Sequence, residues 1–249
     1  MLSLLLLLLL TPITEAKEQK TVKGTQTSGK ENVNSAKVLW KEWYLLTIQG
    51  EAQGYFVEEF EKRVNEKQLA ISQTWFEKRE GGVSTFIGSV ASDNSALSPV
   101  AFFSDRKSAM KAYKVDGRVK GGTLELKLKP EGSEGGVEKT YPMGKDFLLS
   151  NFLPYALTHQ LKPGSPLSFS AIVEDPMDTS FELHKGNASR QSGNKQIKTE
   201  ECKKFEVTID GKGQSWWVAD SGKLCEVYLP FSDSKLELSS EENIKKLFP

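Results

Sequence analysis

The stretch Thr199–Phe231, TEECKKFEVTIDGKGQSWWVADSGKLCEVYLPF, decides the fold. Phe205, Val207 and Ile209 alternate with Glu206 and Thr208, the period of two that gives a strand one buried face. Asp210-Gly211 closes a first turn and Ser221-Gly222 a second, because glycine accepts the positive φ that tight hairpins require. A two-residue turn at Asp210-Gly211 sets Phe205 opposite Trp216, and the next strand sets Val218 opposite Cys225. One face then carries Phe205, Val207, Trp216, Val218, Cys225, Val227 and Leu229. These strands make an apolar wall within a larger curved sheet; they name neither a ligand nor a reaction.

Outward from this wall the same period recurs. Val38, Trp40, Tyr44, Leu46 and Ile48 share one parity, which predicts a long strand with a buried face. Gly50–Gly54 reads as a turn, Phe56 and Phe60 face one way on the next strand, and Gln68–Arg79 carries Leu69, Ile71 and Trp75. Glu80-Gly81-Gly82 turns into Val83–Val90, so the first four strands form an up-and-down meander. PVAFFSDRK and AMKAYKVDG give two more strands, the second ending at a hairpin signal, Asp116-Gly117. Strict alternation in TLELKLK gives that strand a wet side. Apolar spacings of three and four predict one helix over Lys145–Gln160, kinked or split at Pro154. Strands resume in PLSFSAIVED and TSFELHK, Gly186–Gln196 reads as a polar loop, and Ser240 caps a short terminal helix. The fold class is mainly β: an antiparallel curved sheet, a half-barrel or open barrel, of about a dozen strands with one central helix.

At 249 residues the chain has room for one good-sized core. Lys plus Arg equals Asp plus Glu at 33 each, with no basic block, which argues against nucleic acid as a partner. Met1–Leu10 is nearly all leucine and runs into Thr14-Glu15-Ala16, the pattern of a secretory signal cut after Ala16. The run is too short to span a bilayer as a helix. The expected organisation is a signal peptide over 1–16, a polar disordered spacer over 17–37 and a single β-rich domain over 38–249, in a periplasmic or secreted protein that is not integral to the membrane. Export permits a disulfide between the two cysteines, Cys202 and Cys225. In a plain meander they sit a full strand apart, and bridging needs Cα atoms within about 7 Å. A bulge, or one strand leaving the sheet, would bring them together; otherwise they are two buried thiols.

Catalytic signals are sparse. The two histidines, His159 and His184, accompany no G-x-S-x-G elbow, and each reads as structural. Metal-ligand spacings are missing too, and no motif requires a cofactor. EDPMD at Glu174–Asp178 reads as a polar turn, and Glu58, Glu59 and Glu61, next to Lys62 and Arg63, as a solvated face. Asn187-Ala188-Ser189 fits a glycosylation acceptor. The positive feature is aromatic: five tryptophans and 13 phenylalanines, most of them core by expectation. Trp216-Trp217 is informative because neighbours on a strand face opposite sides, so one of the two looks away from the wall.

The order of parts resembles an exported family. Gly54-Tyr55, Asp146–Ser150, Lys162-Pro163-Gly164 and Trp217–Leu224 are similar to motifs of an uncharacterised periplasmic branch related to the LolA/LolB lipoprotein carriers. That resemblance implies a half-barrel wrapped around a helix, with an inner face that takes acyl chains. The leading expectation is a non-enzymatic protein binding a lipid or another apolar ligand, or an envelope component, on its concave face. Its wall would be Leu148, Phe152, Tyr155, Trp216, Val218 and Val227. The alternatives are an envelope assembly protein working through protein contacts on its outer face, and a secreted hydrolase. Cavity volume discriminates: a few hundred Å³ of open groove favours a ligand, a filled interior favours contacts.

Overall fold

The computed structural model describes residues 36–78, 82–108, 112–131, 135–161, 164–173 and 182–249. The expected signal peptide, nearly all of the spacer, Glu80-Gly81, Lys162-Pro163 and the EDPMD segment lie outside the described residues. A first meander runs through β1 (Ala36–Ile48), β2 (Glu51–Arg63), β3 (Gln68–Glu77), β4 (Val83–Ser92), β5 (Pro99–Lys107), β6 (Ala112–Lys120), β7 (Thr123–Pro130) and β8 (Val137–Pro142). A short strand β9 (Phe147–Leu149), a 3₁₀ turn (Ser150–Phe152) and helix α1 (Leu153–His159) follow. The second meander is β10 (Leu167–Ile172), β11 (Leu183–Ile197), β12 (Glu200–Ile209), β13 (Lys212–Ala219), β14 (Leu224–Leu229) and β15 (Ser234–Ser239), closed by helix α2 (Glu241–Leu247).

All fifteen strands join one sheet in the order β8-β7-β6-β5-β4-β3-β2-β1-β15-β14-β13-β12-β11-β10-β9. Every pairing is antiparallel except β9 with β10. The two meanders meet where β1 pairs with β15, Leu46 opposite Leu236. The sheet's opposite edges, β8 and β9, are joined by residues 143–146 alone, so they lie within about 18 Å of each other. The sheet therefore curls into an open barrel without closing. Its concave side holds the core: Tyr44, Phe56, Phe60, Phe205, Val207 and Leu236 from the sheet, and Phe152, Leu153, Ala156 and Leu157 from the segment that crosses it.

The expected register at Asp210-Gly211 is the one observed, with Phe205 opposite Trp216. Several other expectations change. The segment expected to be one helix over 145–160 is extended at Phe147–Leu149 and helical only from Leu153. Pro154 sits in that helix's first turn, where its missing N–H has no intrahelical partner to lose. Asp116-Gly117 is not a turn: Gly117 lies inside β6, and a Cβ there would fall 2.3 Å from the Phe102 ring. The hairpin forms five residues later at Gly121-Gly122, both at positive φ. Gly186–Gln196 belongs to β11, whose polar composition reflects exposure, because β10 pairs it only as far as Ala188. Gly54 likewise is within β2, and the turn before it is Gln49-Gly50.

Cys202 and Cys225 form a disulfide across 6.5 Å between Cα atoms. The pairing of β13 with β14 steps from Trp217 opposite Glu226 to Val218 opposite Leu224, which leaves Cys225 as the extra residue of a bulge. The bulge turns Cys225 off the concave wall, where alternation had placed it, onto the outer face beside Ala219 and Trp217. Trp217 is thus the tryptophan that looks away, with the Lys195 ammonium 5.5 Å over its ring. Among the described residues no helix is long and apolar enough to cross a membrane.

Candidate functional site

Alternation on β2 places Phe56, Glu58 and Phe60 on the concave side, and on β3 Ile71, Gln73 and Trp75. Glu58 is therefore an interior residue, 4% exposed, and not part of a solvated face as its charged neighbours implied. It stands opposite Gln73, whose Nε2 donates to its Oε2 at 2.7 Å. The Trp40 indole N–H donates to the other oxygen at 3.4 Å, and the Trp75 indole N–H donates to Gln73 Oε1 at 3.0 Å. Burial pushes the Glu58 pKa up, while the hydrogen bonds from Gln73 and Trp40 pull the other way and the charge of Glu42 adds to the rise. The buried Tyr44 hydroxyl is raised well above its usual range, by burial first and then by Glu58, Glu42 and Glu200.

Across the barrel β13 repeats the device. Gln214 and Trp216 share the concave side, and the Trp216 indole N–H donates to Gln214 Oε1 at 2.9 Å. Gln73, Trp75, Gln214 and Trp216 thus line one small chamber of about 40 Å³, together with Glu58, Asn151, Leu224 and Val227. Asn151, from the 3₁₀ turn, ties the crossing segment to the sheet by donating to Ser89 Oγ at 3.0 Å.

The expected wall residues do not gather around a ligand-sized space. Phe152 and Val218 are fully buried, and Leu148 and Val227 nearly so. Phe152 meets the Phe60 ring edge-on at 6.2 Å. Tyr155 lies half-buried between His159, stacked at 3.7 Å, and the β13–β14 turn, where Gly222 leaves room for its backbone. Trp216 and Val227 line the chamber; Leu148 borders a separate hollow of about 240 Å³ beside Asp146 and Phe169. Glu58, Gln73 and Gln214 were overlooked, although parity carried the signal: each sits two residues from an aromatic already assigned to the concave side.

A larger hollow lies on the other face. A groove of about 770 Å³ crosses the outer surface of β2–β6. Two cross-strand rows floor it. Glu59, Ser72, Gly88, Phe103 and Asp116 make one, and Glu61, Ala70, Val90, Ala101 and Arg118 the other. Small residues in the middle of each row make the hollow. Phe86 and Phe103 stand at its side, 42% and 40% exposed, with ring centroids 6.4 Å apart. Its charged rim is internally paired: Glu59 with Lys41, Glu61 with Arg63, and Asp116 with Arg118.

The histidines face neither space. His159 Nδ1 lies 2.9 Å from the Tyr155 carbonyl oxygen. His184 Nδ1 is 2.5 Å from Asp210 Oδ2, and the Lys185 backbone N–H donates to Asp210 Oδ1. Partial burial works against the Asp210 carboxylate, but these bonds and the His184 and Lys212 charges hold its pKa below the usual value. The pair locks the β12–β13 turn to β11. Among the described residues no group of three or more His, Cys, Asp and Glu could hold a metal ion.

No family model matches the chain, and no curated protein matches it in sequence. Its fold is similar to the crystal structure of a beta-barrel-like protein of domain of unknown function DUF1849 from Brucella abortus. The TM-score is 0.55 at 10% identity, over 80% of this chain and 95% of that one. The shared feature is the fold: a β-barrel-like domain.

Proposed function

We propose that this is a non-enzymatic binding protein of an exported compartment, and that it works through the outer groove of β2–β6, which takes an apolar-faced helix of a partner protein. The carrying observation is the division of space. The chain's own crossing segment fills most of the concave side, leaving the chamber of about 40 Å³ and the separate hollow of about 240 Å³ beside Leu148, whereas the outer face offers about 770 Å³ beside two exposed phenylalanines. From β2 to β6 is four inter-strand spacings, about 19 Å, wide enough for a helix of about 10–12 Å diameter and too wide for a single hydrocarbon chain. The internally paired rim asks for no particular charge in the partner. The Cys202–Cys225 bridge supports an oxidising compartment. Kinship with the LolA/LolB carriers would account for a sheet wrapped on a helix, but their acyl-chain role needs room that the concave side does not have. The non-enzymatic reading rests on both histidines pointing away from the groove.

A photoreactive residue at Val90, with Tyr228 on the outer face of β14 as the control position, tests this in the producing cell. The expected result is a discrete protein adduct at Val90 and none at Tyr228, with the linked peptide drawn from a helix. A lipid-mass adduct at Val90, or equal labelling at both positions, overturns the reading.

A further inference from the structure

We infer that the interior chamber is a second binding site, specific for the uncharged oxygen-bearing end of a small molecule, such as a primary amide, an ester carbonyl or an alcohol. The inference is independent of the outer groove. It comes from comparing the two Gln-x-Trp relays that share the chamber. In the first, the Trp75 indole N–H donates to Gln73 Oε1 and Gln73 Nε2 donates to Glu58, so the relay ends on an acceptor. In the second, the Trp216 indole N–H donates to Gln214 Oε1. Because an indole N–H can only donate, it fixes which end of the Gln214 amide is oxygen. Gln214 Nε2 is then directed away from Trp216, on a side chain 3% exposed that lines the chamber, and finds no acceptor among the described residues. A buried amide donor left without an acceptor is costly, and the second relay is completed by an acceptor atom placed in the chamber.

The surroundings define that atom's owner. Glu58 is in the same chamber, so an anionic acceptor would face a carboxyl group at close range. A cation would meet the Gln214 N–H₂ group instead of a lone pair. The remaining wall is mostly apolar, from Phe56, Leu224, Val227, Leu229 and Leu236, with the uncharged Ser150 and Asn151 on the side of the crossing segment. At roughly 10–15 Å³ of probe-occupied volume per water-sized group, about 40 Å³ takes about three to four non-hydrogen atoms. An oxygen with its carbon and one substituent fits; a sugar ring does not. A larger molecule would insert only such a terminus.

The probe is acetamide, with acetate as its isosteric anion, titrated into the full-length folded protein and followed through the Gln214 side-chain amide and Trp216 indole N–H signals in ¹H–¹⁵N spectra. Saturable shifts of both signals with acetamide and none with acetate are expected. Gln214→Leu, which keeps the volume and removes the donor, should weaken acetamide binding about tenfold, the worth of one hydrogen bond. Three results overturn the site: no saturation with acetamide, equal response to acetate, or a bound water at Gln214 that acetamide fails to displace. If Gln214→Leu does not fold, the acetamide-against-acetate comparison in the unaltered protein still decides.

Discussion

The inner and outer faces of β2–β5 follow opposite rules. On the inner face a carboxyl group and an amide, Glu58 and Gln73, are buried among aromatic rings; on the outer face two phenylalanines stand in water. Usually the polar residues of a half-buried strand are the wet ones. Inside, the exception is stable because the polar atoms answer one another, Trp40 and Gln73 donating to Glu58 and Trp75 to Gln73. Outside, Phe86 and Phe103 stand 42% and 40% exposed with their ring centroids 6.4 Å apart. The buried exception is needed by the fold, whereas the exposed one is not. A second outer face, that of β12–β14, shows what a covered surface looks like: there Trp217 closes over the disulfide and Ala219.

The largest effect expected on this contrast is at the crossing segment. Phe152→Ala removes a fully buried ring from the centre of the barrel, and urea unfolding should show a loss of about 3–5 kcal/mol. A loss below about 1 kcal/mol, within the range of ordinary surface substitutions, would mean that the concave side is not packed as described. Next is the covered outer face. The disulfide closes a loop with a sequence separation of 23, and Cys202→Ala with Cys225→Ala should cost about 3 kcal/mol. An unchanged midpoint in urea would show that the bulge at Cys225 holds the strands without the bond.

Smaller again is the buried relay. Gln73→Leu takes the acceptor from Trp75 and a donor from Glu58, so about 1–3 kcal/mol should be lost. Its pH signature separates it from a packing defect. Burial raises the Glu58 pKa above the ordinary 4.5, so the folded state keeps a proton that the unfolded state has released. This contribution to stability is fully present below 4.5 and is lost as pH rises through the folded value. Glu58→Gln should remove that part of the slope. Identical slopes for the two proteins in pH-dependent urea unfolding would place Glu58 in contact with solvent.

Much of this fold was legible because strands announce themselves every second residue. The Phe205–Trp216 register followed from one turn, Asp210-Gly211. What failed was where local and tertiary demands diverge. Phe147–Leu149 has helical spacing with Leu153 and Ala156 but is extended, because pairing with β10 claims its backbone. Asp116-Gly117 carries the dipeptide of a turn, yet Gly117 is there for the Phe102 ring. Cys225 left the wall through a bulge, which shifts parity without a local mark. The chamber was readable: Glu58 shares parity with Phe56 and Phe60, and charge at positions 59, 61, 62 and 63 hid it. The outer groove was not, because it depends on Ser72 and Gly88 in one cross-strand row falling next to Ala70 and Ala101 in the other.

The smallest stability effect belongs to the open face, and its smallness is the point. Phe86→Ala and Phe103→Ala together remove rings that are 42% and 40% exposed on the outer face, so the urea midpoint should move by no more than about 0.5 kcal/mol per site. The same pair should abolish the protein adduct formed at Val90, since the rings are the largest apolar surface beside the groove. Phe152→Ala should do the reverse, costing stability while leaving the adduct in place at temperatures where the protein remains folded. A double variant that loses stability as Phe152→Ala does would show that Phe86 and Phe103 belong to the core. One that keeps both stability and adduct would show that the partner helix reads the rim, through Glu59, Glu61 and Arg118, and not the rings.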